Sequence, residues 1–275
     1  MSGILYVVGT PIGNLSDFSQ RAIETLRNCD FIAAEDTRVT LKLLNHFEIK
    51  KPMVSYFEHN RFERGPVIAE RILSGESCAL VTDAGMPAIS DPGEDLVKLC
   101  IEKGIEIEAV PGPCAFATAL AISGMPSKRF SFEGFLPVDK SDRKEHISWL
   151  IGETRTMIFY EAPHKLAQTL ADLYKALGNR EIAIVRELTK IHEQVIKSTL
   201  SEASERYSKE VIKGEIVLIV KGAEPEENES MTLEQAVEYA MNLVEKGQSK
   251  TQAAKIAAKE SGLKKGDIYK LLLEE

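Results

Sequence analysis

Apolar residues recur along this chain with two spacings that take turns. Short runs rich in β-branched or aromatic residues, each closed by a turn signal, read as strands: 4–9 (ILYVVG), 31–36 (FIAAED), 52–57 (PMVSYF), 78–83 (CALVTD) and 107–112 (IEAVPG). Between them the spacing becomes helical. One helix follows Ser19, with Ala22, Ile23 and Leu26 on one face. Another spans 95–104 (DLVKLCIEKG) and ends on a C-cap glycine. Strand–helix alternation predicts a mostly parallel sheet with helices on both faces.

The pattern breaks at 123–130 (SGMPSKRF) and resumes with strands at 130–135, 156–162, 181–188, 193–199 and 215–222. The last two follow 181–188 too closely for a helical crossover between every pair, so antiparallel pairing and a mixed sheet are expected there. The chain therefore divides into an N-terminal α/β domain (1–123) and a second α/β domain with a mixed sheet (124–222). An acidic linker (223–230, AEPEENES) then leads to an all-helical tail (231–275).

The length of 275 residues suffices for two modest domains with their own cores, and 44% hydrophobic with 28% charged residues is ordinary for a soluble globular protein. No apolar run approaches the ~20 residues of a membrane span. The opening MSGILYVVGT lacks a basic n-region and runs into a glycine turn, so it reads as a first strand rather than a signal peptide. A cytoplasmic protein with no membrane contact is the expectation. Cys29, Cys78, Cys100 and Cys114 fit no CxxC or zinc spacing, and the five histidines fit no metal motif, so no bound metal is expected. The net charge of −8 argues against a protein coated in nucleic acid, while leaving room for a local basic patch.

Ligands of open α/β sheets bind beyond the carboxyl ends of the strands. Four such ends carry unusual loops: 9–14 (GTPIGN), 35–38 (EDTR), 82–93 (TDAGMPAISDPG) and 111–115 (PGPCA). Five of the eleven prolines fall in these loops, which suits sharp turns that bring backbone close to a ligand. Singly, each loop is ambiguous. GTPIGN is neither GxGxxG nor a phosphate loop, and it lacks the lysine a nucleoside triphosphate requires. In EDTR, Asp36 or Thr37 equally suits a helix cap. Asp83, at a strand end before Ala-Gly, suits a polar ligand contact or a plain turn. Glu161 and His164 lie beyond a strand of the second half, where Pro163 marks the N1 region of a helix.

Several strings, in order along the chain from about Ile4 to Gly222, carry a resemblance: LYVVGTPIGNLSD, AAEDTR, LVTDAGMPAISDPG, VPGPCAFATALAISG, FEGFLP, FYEAPHKL, RELTK and GEIVLIVKG. They resemble the ribosomal small-subunit methyltransferase I family, the 16S rRNA (cytidine 2′-O)-methyltransferases of the tetrapyrrole-methylase superfamily. The resemblance implies two α/β domains of the tetrapyrrole-methylase type with S-adenosylmethionine folded into the cleft between them, and a homodimer. It assigns Pro11 and Ile12 to the first-strand loop and Asp83, Ala84, Gly85 and Met86 to the ribose and methionine part of the cofactor. Cys114 and Ala115 lie near it in the PG loop. Tyr160, Glu161 and Ala162, with Leu188 and Ile216, fall where the second domain closes over adenine. The implied partner is 16S rRNA in the small ribosomal subunit.

A ribose hydroxyl is a poor nucleophile and must lose its proton as the new bond forms. Asp36, Asp83, Glu161 and Glu187 stand at strand ends facing the expected cleft, with Asp36 and Glu161 singled out as catalytic. Arg38 and Arg186 are candidates for holding RNA phosphate. In the tail, residues 246–270 hold seven lysines against two acids, a net +5. The segment TQAAKIAAKESGLKKGDIYKLL spaces its apolar residues about Gly262 as a helix-turn-helix does. Lys250, Lys264 and Lys265 are thus candidate RNA contacts, and an amphipathic helix pair packed on protein is the equal alternative. Two rival functions stay open on the residues alone: methylation of a small molecule or modified protein, and RNA binding without catalysis.

Overall fold

A computed structural model describes residues 2–224 and 231–274. The chain divides into two compact units, 1–223 and 224–275. Most of the stretch read as a linker, residues 225–230, lies outside the described residues.

The first unit contains two sheets. In the first, β1 (Ile4–Val8), β2 (Phe31–Ala34), β3 (Met53–Ser55), β4 (Cys78–Val81) and β5 (Glu106–Val110) run in the order β3-β2-β4-β1-β5, all parallel. Every residue of β2 and β4 is buried, as continuous apolar runs in a sheet covered on both faces require. One face packs under α1 (Gln20–Asn28) and α2 (Thr37–His46) through Ile23, Leu26 and Leu44. The other packs under α3 (Arg61–Leu73) and α4 (Glu94–Glu102) through Ile68, Ile72 and Leu96. Ser19 caps α1 by accepting from the Ala22 N–H at 3.1 Å. The strands are a little shorter than their apolar runs, because Glu35, Asp36, Thr82 and Asp83 have already left the ladder to form loops.

The second sheet holds β6 (Phe130–Phe135), β7 (Thr156–Glu161), β8 (Glu181–Arg186), β9 (Gln194–Thr199) and β10 (Ile216–Val220) in the order β6-β7-β10-β8-β9. Only β6–β7 is parallel; the other three pairs are antiparallel, so the sheet is mixed as expected. α6 (Lys140–Trp149), α7 (Leu166–Leu177) and α8 (Leu200–Tyr207) cover one face. α7 begins at Leu166 with Lys165 as its cap, so Pro163 lies in the preceding turn rather than at N1. α5 (Ala115–Ser123), which follows the first sheet in sequence, covers the other face. Its Ala119 and Leu120 join Ile158, Ala183, Val217 and Ile219 in one apolar cluster that also includes Ile12.

The second unit is a three-helix module of α9 (Leu233–Glu245), α10 (Lys250–Ser261) and α11 (Lys265–Glu274). Ala236, Ala240, Ala253, Ala257 and Ile268 form its core, with small residues letting the helices approach closely. Gly262 ends α10 in the left-handed conformation, φ 72°, donating its N–H to Ala258 at 3.1 Å. No described helix is long and apolar enough to cross a membrane.

Candidate active site

Parallel strands bring their carboxyl ends to one edge, and there the loops of the first sheet are sewn together. Thr10 and Gly85 exchange backbone hydrogen bonds of 2.9 and 3.2 Å, joining the loops after β1 and β4. The Thr10 hydroxyl donates to the Thr82 carbonyl at 3.2 Å. Glu35, after β2, accepts the Thr82 hydroxyl and the Asp83 N–H, while Asp83 accepts the Asp36 N–H at 3.1 Å. Gly9 and Gly112 press the loops after β1 and β5 together: a Cβ on Gly9 would stand 2.7 Å from the Gly112 Cα.

Against this edge stands the second sheet. A Cβ on Gly13 would come within 2.9 Å of the Thr189 Oγ1, so the loops after β1 and β8 are in contact. Between the sheets lies a hollow of about 400 Å³. Ile12, Gly85, Met86 and Cys114 enter from the first side; Tyr160, Leu188, Ile216 and Val217 enter from the second. Of the thirteen positions the resemblance places around the cofactor, eleven line this hollow. The exceptions are Pro11 and Asp83, which lie just outside, Asp83 serving to tether Asp36. The Tyr160 hydroxyl accepts the Phe116 N–H at 3.3 Å, fastening β7 to α5, and burial pushes it up to about 12.

The lining is apolar along Val185, Leu188, Ile216 and Val217, and acidic at Asp91, Glu161 and Glu215. Burial, with the Glu35 and Asp83 carboxylates nearby, pushes the Asp91 carboxyl up to about 7. Burial and Glu35 likewise raise Asp83. Asp91 was not singled out from sequence, although it stands in the 82–93 loop. What marks it is conformation. Ala88 and Ser90 hold φ values of 66° and 65°, left-handed backbone that residues with side chains rarely adopt outside places where the fold insists on it.

The two carboxylates read as proton acceptors have other work. Asp36 caps α2 through the Arg38 N–H at 2.8 Å and grips the Arg38 guanidinium, which holds its carboxyl down at about 2. So weak a base takes a proton poorly at neutral pH, and Asp36 does not line the hollow. Glu161 does line it and is buried, but one oxygen accepts the Ala162 N–H at 2.7 Å and the other the Thr169 hydroxyl, locking the start of α7. Glu187 is similarly engaged by the Glu215 N–H at 3.0 Å and by Lys190 at 3.1 Å, and sits below its ordinary value.

Of the cations expected to meet RNA, Arg38 is paired with Asp36, yet its side chain is 87% exposed. Arg186 donates from one guanidinium nitrogen to Gln194 at 3.1 Å, and its Nε has no partner. In the separate helical module, Lys264 is exposed in the turn before α11 and Lys265 is exposed as its first residue. Lys250 instead donates to the Leu272 carbonyl at 2.7 Å, closing the C-terminal end of α11, where a cation is favoured.

Next to the first hollow is a second, of about 500 Å³, lined by Glu35, Phe57, Glu58, His59, Ser90 and Glu94 among others. Glu35, Ala88, Ser90, Asp91 and Pro92 come from the 35–38 and 82–93 loops that the sequence marks, while Phe57, Glu58, His59 and Glu94 lie outside every loop it marks.

This pair of α/β layers with a hollow at their junction is the architecture of the tetrapyrrole (corrin/porphyrin) methylases, whose family profile matches residues 4–204. The solved structure of uroporphyrin-III C-methyl transferase from Thermus thermophilus, complexed with S-adenyl homocysteine, superposes with a TM-score of 0.57. It is 16% identical and covers 80% of this chain and 97% of that one, a likeness of fold. The ribosomal RNA small subunit methyltransferase I of Synechocystis sp. is 45% identical over 273 residues, covering 99% of this chain and 98% of that protein. Its counterpart from Halalkalibacterium halodurans is 47% identical over 279 residues, covering 99% and 96%. The chain belongs to the ribosomal RNA small subunit methyltransferase I family.

Proposed function

We propose that this protein transfers a methyl group from S-adenosylmethionine to the ribose 2′-hydroxyl of a cytidine in 16S rRNA of the small ribosomal subunit. The observation that carries the reading is the hollow between the sheets, apolar along one wall and acidic along another. S-adenosylmethionine is flat and weakly polar at its adenine end and cationic at the other. Leu188, Ile216 and Val217 suit the base. Asp91, raised because it is buried among like charges, suits a positive group, which would draw it back into the ionised form. The name shared by the relatives supports rRNA as the substrate.

When bound, the cofactor supplies an electrophilic methyl on a positively charged sulfur. The chain's own contribution is placement. The Thr10–Gly85 bridge and the Gly9–Gly112 contact fix the loops that carry Ala84, Gly85, Cys114 and Ala115, while Tyr160 ties the second sheet to α5. Holding donor and acceptor aligned is worth roughly 7–11 kcal/mol of barrier. Arg38, Arg186, Lys264 and Lys265 are assigned to RNA phosphates. Lys250 is withdrawn from that set because its ammonium already serves a helix end.

The assembly we assign is a homodimer. α5 (AFATALAIS) has no charged residue, yet Ala117, Ala121 and Ile122 are exposed, with Phe130 also 39% exposed. A helix apolar all round belongs in an interior, and a second copy of the chain supplies one. The compartment we assign is the cytoplasm, in keeping with action on ribosomal particles.

The deciding experiment is transfer of a labelled methyl group to small subunits lacking their own modification, with mass mapping of the product. Label on a cytidine 2′-oxygen is the expected result. Label on a base, or transfer to a tetrapyrrole but not to subunits, would refute the reading.

A further inference from the structure

Segment 88–92 separates the two hollows. Ala88, Ser90 and Pro92 line the outer one, Ile89 lines the inner one, and Asp91 lines both. Successive side chains thus point to opposite sides of a wall one chain thick, held in the left-handed backbone of Ala88 and Ser90. If the methyl donor occupies the inner side, a second reactant has a place ready on the outer side.

The outer hollow, about 500 Å³, lies within the roughly 300–1,000 Å³ of small-ligand sites. It is not a phosphate site, because carboxylates line it and neither arginine nor lysine does. It suits a neutral planar group that carries N–H donors. Phe57, 37% exposed, offers a ring face, with His59 edge-on at a centroid distance of 6.1 Å. Two of the four carboxylates are engaged, Glu35 by Thr82 and Asp83 and Glu58 by Arg61 at 2.8 Å, while Asp91 is half-buried in the dividing segment. Glu94, the first residue of α4, is exposed and has no hydrogen bond or ion pair among the described residues.

We propose that the outer hollow receives the base of the acceptor nucleotide, turned out of the RNA stack, with its ring on Phe57 and its exocyclic amine donating to Glu94. This rests on the methyl-transfer reading and adds the residues that select the nucleotide. Unstacked bases are read on aromatic rings and by their hydrogen-bonding edges, and a glutamate is the natural acceptor for the cytosine amine. Uracil carries a carbonyl at that position and sets acceptor against acceptor. The phosphates stay outside the acidic hollow.

The test uses the full-length protein and unmodified small subunits that carry either cytidine or uridine at the position the wild type methylates. Wild type favours cytidine by about ten- to a hundredfold. Glu94→Gln, whose amide can donate to the uracil carbonyl, narrows that ratio to about threefold or less, chiefly by raising transfer to uridine. Phe57→Ala raises KM for subunits about tenfold, and Phe57→Tyr restores it. Calorimetric affinity for S-adenosylmethionine stays at the wild-type value in all three variants. If wild type labels neither particle, the methyl-transfer reading itself fails. If wild type is active and Glu94→Gln keeps the full cytidine preference, or Phe57→Ala keeps the wild-type KM, this proposal alone is overturned. Lost cofactor affinity in Phe57→Ala would give the outer hollow to the cofactor and overturn it equally.

Discussion

Replacing Gly9 by alanine tests whether the inner hollow depends on the close approach of two loops. Its φ is not left-handed, so the effect is purely one of space. The new Cβ would lie 2.7 Å from the Gly112 Cα, the Gly112 N and the Met86 Sδ, against the ~3.5–4.0 Å of an ordinary carbon contact. Met86 can swing away, but the backbone of Gly112 cannot, so the loops must part by roughly 1 Å. Overpacking of this kind costs about 1–3 kcal/mol of stability. A misplacement near 1 Å at a reacting centre can cost about a hundredfold in rate. The expected outcome is a folded Gly9→Ala protein with a melting midpoint lower by several degrees. Its affinity for S-adenosylmethionine, measured by calorimetry, should fall at least about tenfold, or about 1.4 kcal/mol. Gly112→Ala meets the Gly9 backbone at 2.8 Å and should behave alike. The double variant should cost less than the sum, since the loops need part only once. Gly152→Ala, with nothing within 4 Å, is the control. Wild-type affinity in Gly9→Ala would refute the dependence.

Asp91 should destabilise the fold when ionised. Its folded-state value, about 7, lies above the ordinary carboxyl value of 3.8. Its contribution is therefore whole below 3.8 and is lost as pH rises through 7. Asp91→Asn should gain melting temperature over wild type between pH 4 and 8, with no gain at pH 3.5, and a flat difference across that range would count against it. Burial raises the Cys114 thiol, so native alkylation should be slow at pH 7, quicken in alkali, and be suppressed by S-adenosylmethionine; peptide mass mapping reads it, and labelling indifferent to cofactor would place the cofactor elsewhere. Lys264→Ala with Lys265→Ala should weaken binding to small-subunit rRNA and lower the slope of log affinity against log salt by about 1–2; an unchanged slope would leave the helical module out of RNA contact. Ile122→Glu should shift the protein to monomer in light scattering, and a persisting dimer would locate the interface off α5.

The fold was legible where local period and burial agree. β2 and β4 are continuous apolar runs because both faces of their sheet are covered, and β8 and β9 were close enough in sequence to betray an antiparallel pair. The inner hollow was legible through resemblance more than through spacing, since Ile12, Met86, Cys114 and Ile216 come from four separate stretches. In sequence, Asp36 and Glu161 are ambiguous, because a strand-end carboxylate looks the same whether it caps a helix or faces a ligand. Only the partners decide, here Arg38 for one and Thr169 for the other. Asp91 and Glu94 stayed hidden for a related reason. The left-handed backbone at Ala88 and Ser90, beside Asp91, is written in residues with no preference for it, and Glu94 reads simply as the start of α4.

The place of β10 has a bearing on how the protein is made. It is the last strand to leave the ribosome, yet it lies in the middle of its sheet, between β7 and β8. Until residue 220 has emerged, β6 with β7 and β8 with β9 are two ribbons with facing open edges, and no strand pairs them. Ile216 and Val217, part of the lining of the inner hollow, arrive on that same strand. Synthesis halted before it would release a chain with sticky edges and no working site, so completion of the sheet and competence for catalysis come in a single step.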